Sequence, residues 1–277
     1  MTFLESVILG IAQGLSEFLP ISSSGHLALL EHFFGIEEDR VLSFAALLHL
    51  GTLFSIFFVY YKEIWALVCE LGGVFRDLFA GRGPRANANE TRRLGFMILI
   101  ATVPTAFAGL LLRDLFSELY ASLAAIGVGL LITGSMMFVS ERIAQGDRDV
   151  DGLLFRHAFF VGVMQSIALC PGISRSGATI TGGLFSGMKR ELAVRFAFLI
   201  SIPSVLGAIL LEAPEAFGAG TEAGMLPTFG VGIVVSMLSG FFAIKTMIRV
   251  VSGGKLRYFS FYTWALGAAV VAYALFA

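Results

Sequence analysis

Charge is what this sequence has least of. Only 14% of its 277 residues are Asp, Glu, Lys or Arg, against roughly 25% in an average soluble domain, and that scarcity excludes an ordinary soluble fold. Hydrophobic residues make up 57% of the chain and the mean hydropathy is +0.85, the composition of an integral membrane protein. A net charge of −1 leaves no broad field of either sign, so nothing points to nucleic acid or a polyanionic partner. Cysteine is almost absent: Cys69 and Cys170 are too few for a disulfide framework, and both read as small hydrophobes in apolar surroundings. The first ten residues, MTFLESVILG, lack the basic leader of a cleavable signal and carry Glu5, so this segment is expected to stay in the mature fold.

What is there in abundance is long apolar sequence. A membrane-spanning helix needs about 20 mostly apolar residues, and six windows qualify: 42–61, 94–112, 119–140, 196–211, 225–244 and 258–277. The fourth is short, with Arg195 at its start, and Pro104 and Pro203 are expected to kink their spans. Two other apolar regions, 3–35 and 153–188, are interrupted by Pro, Gly and Ser. Backbone that leaves a helix at membrane depth must be buried in protein or line a wet cavity, so both regions read as re-entrant helix-loop-helix hairpins. The fold class is therefore all-α and integral to the membrane, with six transmembrane helices and two such hairpins.

Loop charges give the orientation. Residues 62–93 hold Lys62, Arg76, Arg82, Arg85, Arg92 and Arg93, and residues 245–257 hold Lys245, Arg249, Lys255 and Arg257 without an acid, so both belong on the cytoplasmic side. Lys189, Arg190 and Arg195 agree, whereas the loop 212–224, with Glu212, Glu215 and Glu222 and no base, suits the outside. Both termini then fall outside. The stretch 62–79 has an apolar face at helical spacing and is expected to lie along the cytoplasmic interface.

The two broken regions repeat one another. At an offset of 152 residues Gly10 aligns with Gly162, Gln13 with Gln165, Ile21 with Ile173, Ser22 with Ser174, Ser24 with Ser176 and Gly25 with Gly177, and the match continues through Phe44 with Phe196. Residues 1–140 and 153–277 thus read as two repeats within one membrane domain, each a hairpin followed by three spans. Three is odd, so the second copy is upside down, and in such inverted repeats the broken segments meet near the midplane and form the ligand site.

The polar residues at the breaks have chemistry to match. In PGISRSGAT, 171–179, Arg175 is a guanidinium at membrane depth, where an unpaired charge costs about 2.5 to 3.5 kcal/mol even on insertion scales. Its planar fork suits phosphate, and Ser174, Ser176, Thr179, Gly172 and Gly177 add hydroxyls and approachable N–H groups at the start of a helix, an anion cradle. The blander alternative is a structural ion pair between Arg175 and Glu17. In SEFLPISSSGH, 16–26, Glu17 lies a turn before the break with Gln13 on the same helical face, and Ser22, Ser23, Ser24 and His26 follow. A hydroxyl, a nearby base and a phosphate-binding Arg make a minimal set for attack on phosphorus, although Ser22 or Ser24 could equally cap a helix. Glu31, His32, His49, Arg156 and His157 are read as packing, interfacial or snorkelling residues, and Glu5 and Gln165 are left open.

QGLSEFLPISSSGH (13–26) and PGISRSGAT (171–179), in this order in a polytopic chain of this length, resemble the bacterial undecaprenyl-diphosphate phosphatase family of the bacitracin-resistance type. The resemblance extends over the chain, including AIKT at 243–246. It implies six spans and two hairpins in an interlocked inverted repeat in the inner membrane, and with the loop charges this puts both termini on the periplasmic side. It further implies removal of the terminal phosphate from the C55 isoprenoid diphosphate that carries peptidoglycan precursors. The family's (E/Q)-x-x-x-E element falls on Gln13 and Glu17, its nucleophilic serine on Ser23, its histidine on His26 and its phosphate-gripping arginine on Arg175. A divalent cation, Mg2+ or Ca2+, is implied, with Glu17 as its one nameable ligand, and Gln13 stands where many members have a second glutamate. The expected chemistry is attack by Ser23 with His26 moving the proton, or with these roles exchanged, while Arg175 neutralises the phosphoryl group. The competing class is a transporter or flippase of a lipid phosphate, which needs Arg175 and the hydroxyls but no reactive serine. A homodimer is left open.

Overall fold

The computed structural model describes residues 2–35, 38–142, 146–218 and 226–276, and they form twelve α-helices and no strand. Breaks between helices fall where the backbone chemistry demands them. Helix α1, Phe3–Phe18, opens on a capping box in which Thr2 and Glu5 exchange hydrogen bonds, which gives Glu5 a local structural task. It stops at Leu19 because the residue before a proline is pushed out of helical conformation. The chain turns through Ser22, whose φ of 72° is unusual for a residue with a side chain, and α2, Ser23–Phe34, starts with the Ser22 hydroxyl accepting from Gly25 N–H. Gly35 closes α2 in the left-handed conformation.

Helix α3, Glu38–Val59, turns by 88° into α4, Tyr61–Phe79. Then come α5, Glu90–Leu111, capped by Asn89, the short α6, Arg113–Tyr120, and α7, Leu123–Glu141, capped by Ser122. In the second broken region α8, Phe155–Ile167, ends before Pro171, and α9, Arg175–Phe185, begins on Ser174, whose hydroxyl accepts from Gly177 N–H. Helices α10, Arg190–Gly218, α11, Leu226–Ser252, and α12, Arg257–Phe276, complete the chain.

Among the described residues five helices are long and apolar enough to cross a membrane, and the bent pair Phe44–Val59 with Tyr61–Phe79 supplies a sixth candidate. Two expectations need correction. The short window at 196–211 belongs to a helix that starts at Arg190, so Arg195 sits inside it, facing Glu90 at 3.6 Å. The window at 119–140 begins only at Leu123, because α6 is a separate turn of helix. Pro104 lies within α5 and Pro203 within α10, the spans in which the sequence put them. The acidic side chains at 212–224, on which the outer side was assigned, lie outside the described residues.

With no hydrophobic drive between helices in lipid, small residues let backbones meet. A Cβ added at Gly10 would fall 2.8 Å from Gly232 O on α11, and one at Gly14 would fall 2.4 Å from Ser236 O. On the other side of the molecule a Cβ at Gly162 would fall 2.2 Å from Ala101 O on α5. Thus α1 packs on α11, α8 on α5, α7 on α12, and α3 on α10 and α11. Between these pairs lies a buried core that includes Phe18, Phe196 and Phe198, with Phe18 and Phe198 edge to face. Large side chains such as Phe58, Phe107, Leu110 and Phe242 point outward, as a lipid-facing surface requires.

Candidate active site

The two breaks touch. Gly172 N–H donates to Ser24 Oγ at 3.3 Å, and Ser176 Oγ donates to the Leu19 carbonyl at 3.3 Å. The second break is seated on α7: Thr133 Oγ1 donates to Gly172 O and accepts from Ser174 N–H, each at 2.9 Å. Gly172 has φ of 80°, and a Cβ there would fall 2.1 Å from Ile126 O, so only glycine fits the turn.

Where the breaks meet, a cavity of about 50 Å³ is lined by Ser16, Glu17, Ser22, Ser23, Ser24, Ser174 and Arg175, with His49, Tyr120, Ala168 and Ile173. Glu17 is its one acid and Arg175 its one fixed cation. Ser23 Oγ donates to Glu17 Oε2 at 2.7 Å, and Gln13 Nε2 donates to the same oxygen at 3.1 Å. The other carboxylate oxygen, Oε1, lies 3.7 Å from Arg175 Nη1, so the ion pair between the breaks exists. It does not use up the arginine: Nη1 is buried and has no hydrogen-bond partner. The cavity therefore presents a serine hydroxyl polarised by a carboxylate, beside a guanidinium N–H in want of an acceptor.

The structure brings Glu17, Ser22, Ser23, Ser24, Ser174 and Arg175 to the cavity, and holds Gln13 behind Glu17. His26 bonds outward from the cavity. Its Nδ1 is 2.8 Å from Ser22 O and its Nε2 is 2.6 Å from Tyr262 Oη on α12, so both ring nitrogens are engaged and it is not among the cavity-lining residues. Because the Ser22 carbonyl only accepts, Nδ1 holds the proton and Nε2 accepts from Tyr262. His26 is thus a clamp on the turn at Ser22. Gly172, Ser176, Gly177 and Thr179 are likewise off the lining: Thr179 Oγ1 donates to Arg175 O at 2.8 Å, and the others bond within or between the breaks.

One cavity residue was not singled out from the sequence. His49, read from the sequence as a packing residue, lines the cavity with Nε2 3.6 Å from Glu17 Oε2. Its only sequence signal is a histidine in the middle of an apolar span, which packing explains equally well. Gln165, left open, is buried and donates to Thr105 and Ser204, away from the cavity.

The residues present do not by themselves make a site for a resident cation. Among the described residues no three His, Cys, Asp or Glu side chains converge, and the one cavity carboxylate already faces Arg175.

A polytopic helical membrane protein with a serine, a buried carboxylate and a half-buried arginine at the contact of two broken helices is the class that the fold and the site define. Residues 6–269 match the profile of the family described as bacitracin resistance protein BacA. The chain is 46% identical over 275 residues to an undecaprenyl-diphosphatase of Alkaliphilus metalliredigens, covering 99% of this chain and 100% of that protein. It is 39% identical over 269 residues to one of Desulforapulum autotrophicum, covering 96% of each chain, and 40% identical over 273 residues to one of Carboxydothermus hydrogenoformans, covering 98% and 97%. The chain belongs to the BacA, or undecaprenyl-diphosphatase, family, and it is a multi-pass membrane protein.

Proposed function

We propose that this protein is an undecaprenyl-diphosphatase that works by a serine nucleophile at the cavity between the two breaks. The activity follows from relatives of that name over nearly the whole chain. Its release of undecaprenyl phosphate recycles the lipid carrier of peptidoglycan synthesis and gives bacitracin resistance. The observation that carries the site assignment is the Ser23 hydroxyl donating to the buried Glu17 carboxylate beside an unsatisfied Arg175.

In the first step Ser23 Oγ forms a bond to the terminal phosphorus while its proton passes to Glu17. The bond from that phosphorus to the bridging oxygen breaks, and undecaprenyl phosphate leaves with the electron pair. Arg175 faces the equatorial oxygens of the transferring group. In the second step water attacks the phosphoserine, the Oγ–P bond breaks, and the proton on Glu17 returns to Ser23. The water's proton leaves with inorganic phosphate. His26 holds the turn at Ser22, and Ser174, Ser176, Thr179, Gly172 and Gly177 shape the cradle around Arg175. Glu17 is the one cavity carboxylate that would touch a divalent cation such as Mg2+ or Ca2+, which would supply charge neutralisation on the diphosphate.

The two halves form an inverted repeat with re-entrant hairpins, oriented with both termini on the periplasmic side. In support, Ser22 and Ser174, aligned at the 152 offset, cap α2 and α9 in the same way. Aligned Gly10 and Gly162 each admit a backbone carbonyl from a helix of the other half, which is reciprocal exchange. A lipid-phosphate carrier would use the same architecture, but it has no use for a polarised serine.

The test is phosphate release from C55 isoprenoid diphosphate by the purified protein in detergent. Ser23→Ala and Glu17→Gln should each lower kcat by about 10³-fold or more, as removal of a nucleophile or its base does elsewhere. Undiminished release by Ser23→Ala overturns the assignment.

A further inference from the structure

His49 lies on α3, outside both breaks and outside every motif that the sequence offered. Its Nδ1 is 2.8 Å from Ala45 O, and since a carbonyl oxygen only accepts, Nδ1 carries a proton and the ring is fixed in orientation; the form that also donates from Nε2 toward Glu17 is the imidazolium, protonated on both nitrogens. Its Nε2 then lies 3.6 Å from Glu17 Oε2, the oxygen that accepts from Ser23. Gln13 also reaches Oε2, but it stands on the same helix as Glu17 and moves with it. Arg175 faces the other oxygen, Oε1. His49 is therefore the group from a separate helix that bears on the reactive oxygen. At 3.6 Å the approach is longer than a hydrogen bond, the usual state of a catalytic contact before substrate tightens it.

We propose that His49 is a positioning residue of the phosphatase: through Nε2 it keeps Glu17 Oε2 in line with Ser23 Oγ while the serine proton is transferred. This rests on Ser23 and Glu17 being nucleophile and base, as argued above. The consequence is a loss in kcat at nearly constant KM, because His49 bears on the chemical step and leaves Arg175 free to bind phosphate.

Two amides separate this role from a merely structural one. The nitrogen of glutamine sits where Nε2 does, and that of asparagine where Nδ1 does, so His49→Gln keeps a donor toward Glu17 while His49→Asn keeps only the bond to Ala45. With purified protein and C55 isoprenoid diphosphate, His49→Ala and His49→Asn should lower kcat about 10- to 100-fold, the scale of a 1 Å misplacement. His49→Gln should stay within about 3-fold of the unsubstituted protein, with KM within about 3-fold throughout. Wild-type kcat in His49→Ala, or equal rescue by Asn and Gln, overturns the proposal. If the alanine variant does not fold, the Gln and Asn pair decides alone. Ser23→Ala in the same preparation tests the underlying site: its activity would refute the serine mechanism, whereas an inert Ser23→Ala beside a fully active His49→Ala would refute only the role of His49.

Discussion

Arg175 meets Glu17 at 3.7 Å yet leaves Nη1 buried and unbonded. An unsatisfied buried N–H costs about 1–3 kcal/mol, and a phosphate oxygen removes that cost while matching the guanidinium fork. Lysine keeps the charge but not the fork, so Arg175→Lys should lower kcat/KM about 10- to 100-fold and Arg175→Ala further, measured by phosphate release. Glu17, Ser23 and Arg175 were legible in the sequence because a carboxylate, a serine cluster and an arginine have no bland use at membrane depth. The places of His26 and His49 were not. One looked reactive because it follows the serines, and the other looked inert because it stands alone. Which ring faces Glu17 depends on how α3 and α12 lie against the breaks, and spacing along the chain does not encode that.

Among elements, the packed pairs α1 with α11 and α8 with α5 depend on backbone contact at glycine. A Cβ at Gly162 would fall 2.2 Å from a carbonyl oxygen, against 2.8 Å at Gly10. Gly162→Ala should therefore destabilise the protein by about 1–3 kcal/mol, and more than Gly10→Ala, read from thermal unfolding in one detergent. Helix α4 is held by charge as well as packing. Arg92 on α5 donates to Glu70 at 2.8 Å and to Asp77 at 2.7 Å. These hydrogen bonds hold both carboxyls below their ordinary range. A carboxyl depressed in the folded state stabilises at pH above its unfolded value and loses that contribution as pH falls through the folded one. The α4 attachment should thus hold through neutral pH and weaken in strongly acidic solution. Fluorescence of Trp65 on α4, in a Trp264→Phe background, should report that change, and Arg92→Met should abolish its pH dependence. That α4 is a helix was visible in its apolar stripe; its 88° turn from α3 was not, because a bend after Val59 has no proline or glycine to announce it.

For the whole molecule, the orientation rests on basic loops at 62–93 and 245–257. Cys69 is exposed on α4 and tests it directly. In a Cys170→Ser background, a membrane-impermeant maleimide should label Cys69 in inside-out vesicles and not in right-side-out ones. Labelling from the periplasmic face would reverse the assigned topology and put both termini in the cytoplasm.

The sequence by itself determined that this chain lives in a membrane, where its spans run, where two of its helices break, and which polar residues gather at those breaks. Those are local matters: apolar length, proline, and hydroxyls that can cap a helix. Tertiary structure alone decided that the breaks touch, that Ser23 leans on Glu17, that Arg175 keeps a free N–H, and that His49 takes the place beside Glu17 while Tyr262 claims His26. Helices in lipid gain little from which apolar face they bury, so their arrangement is set by glycine contacts and hydroxyl bonds between residues distant along the chain, and the pairing of those residues appears only once the helices are packed.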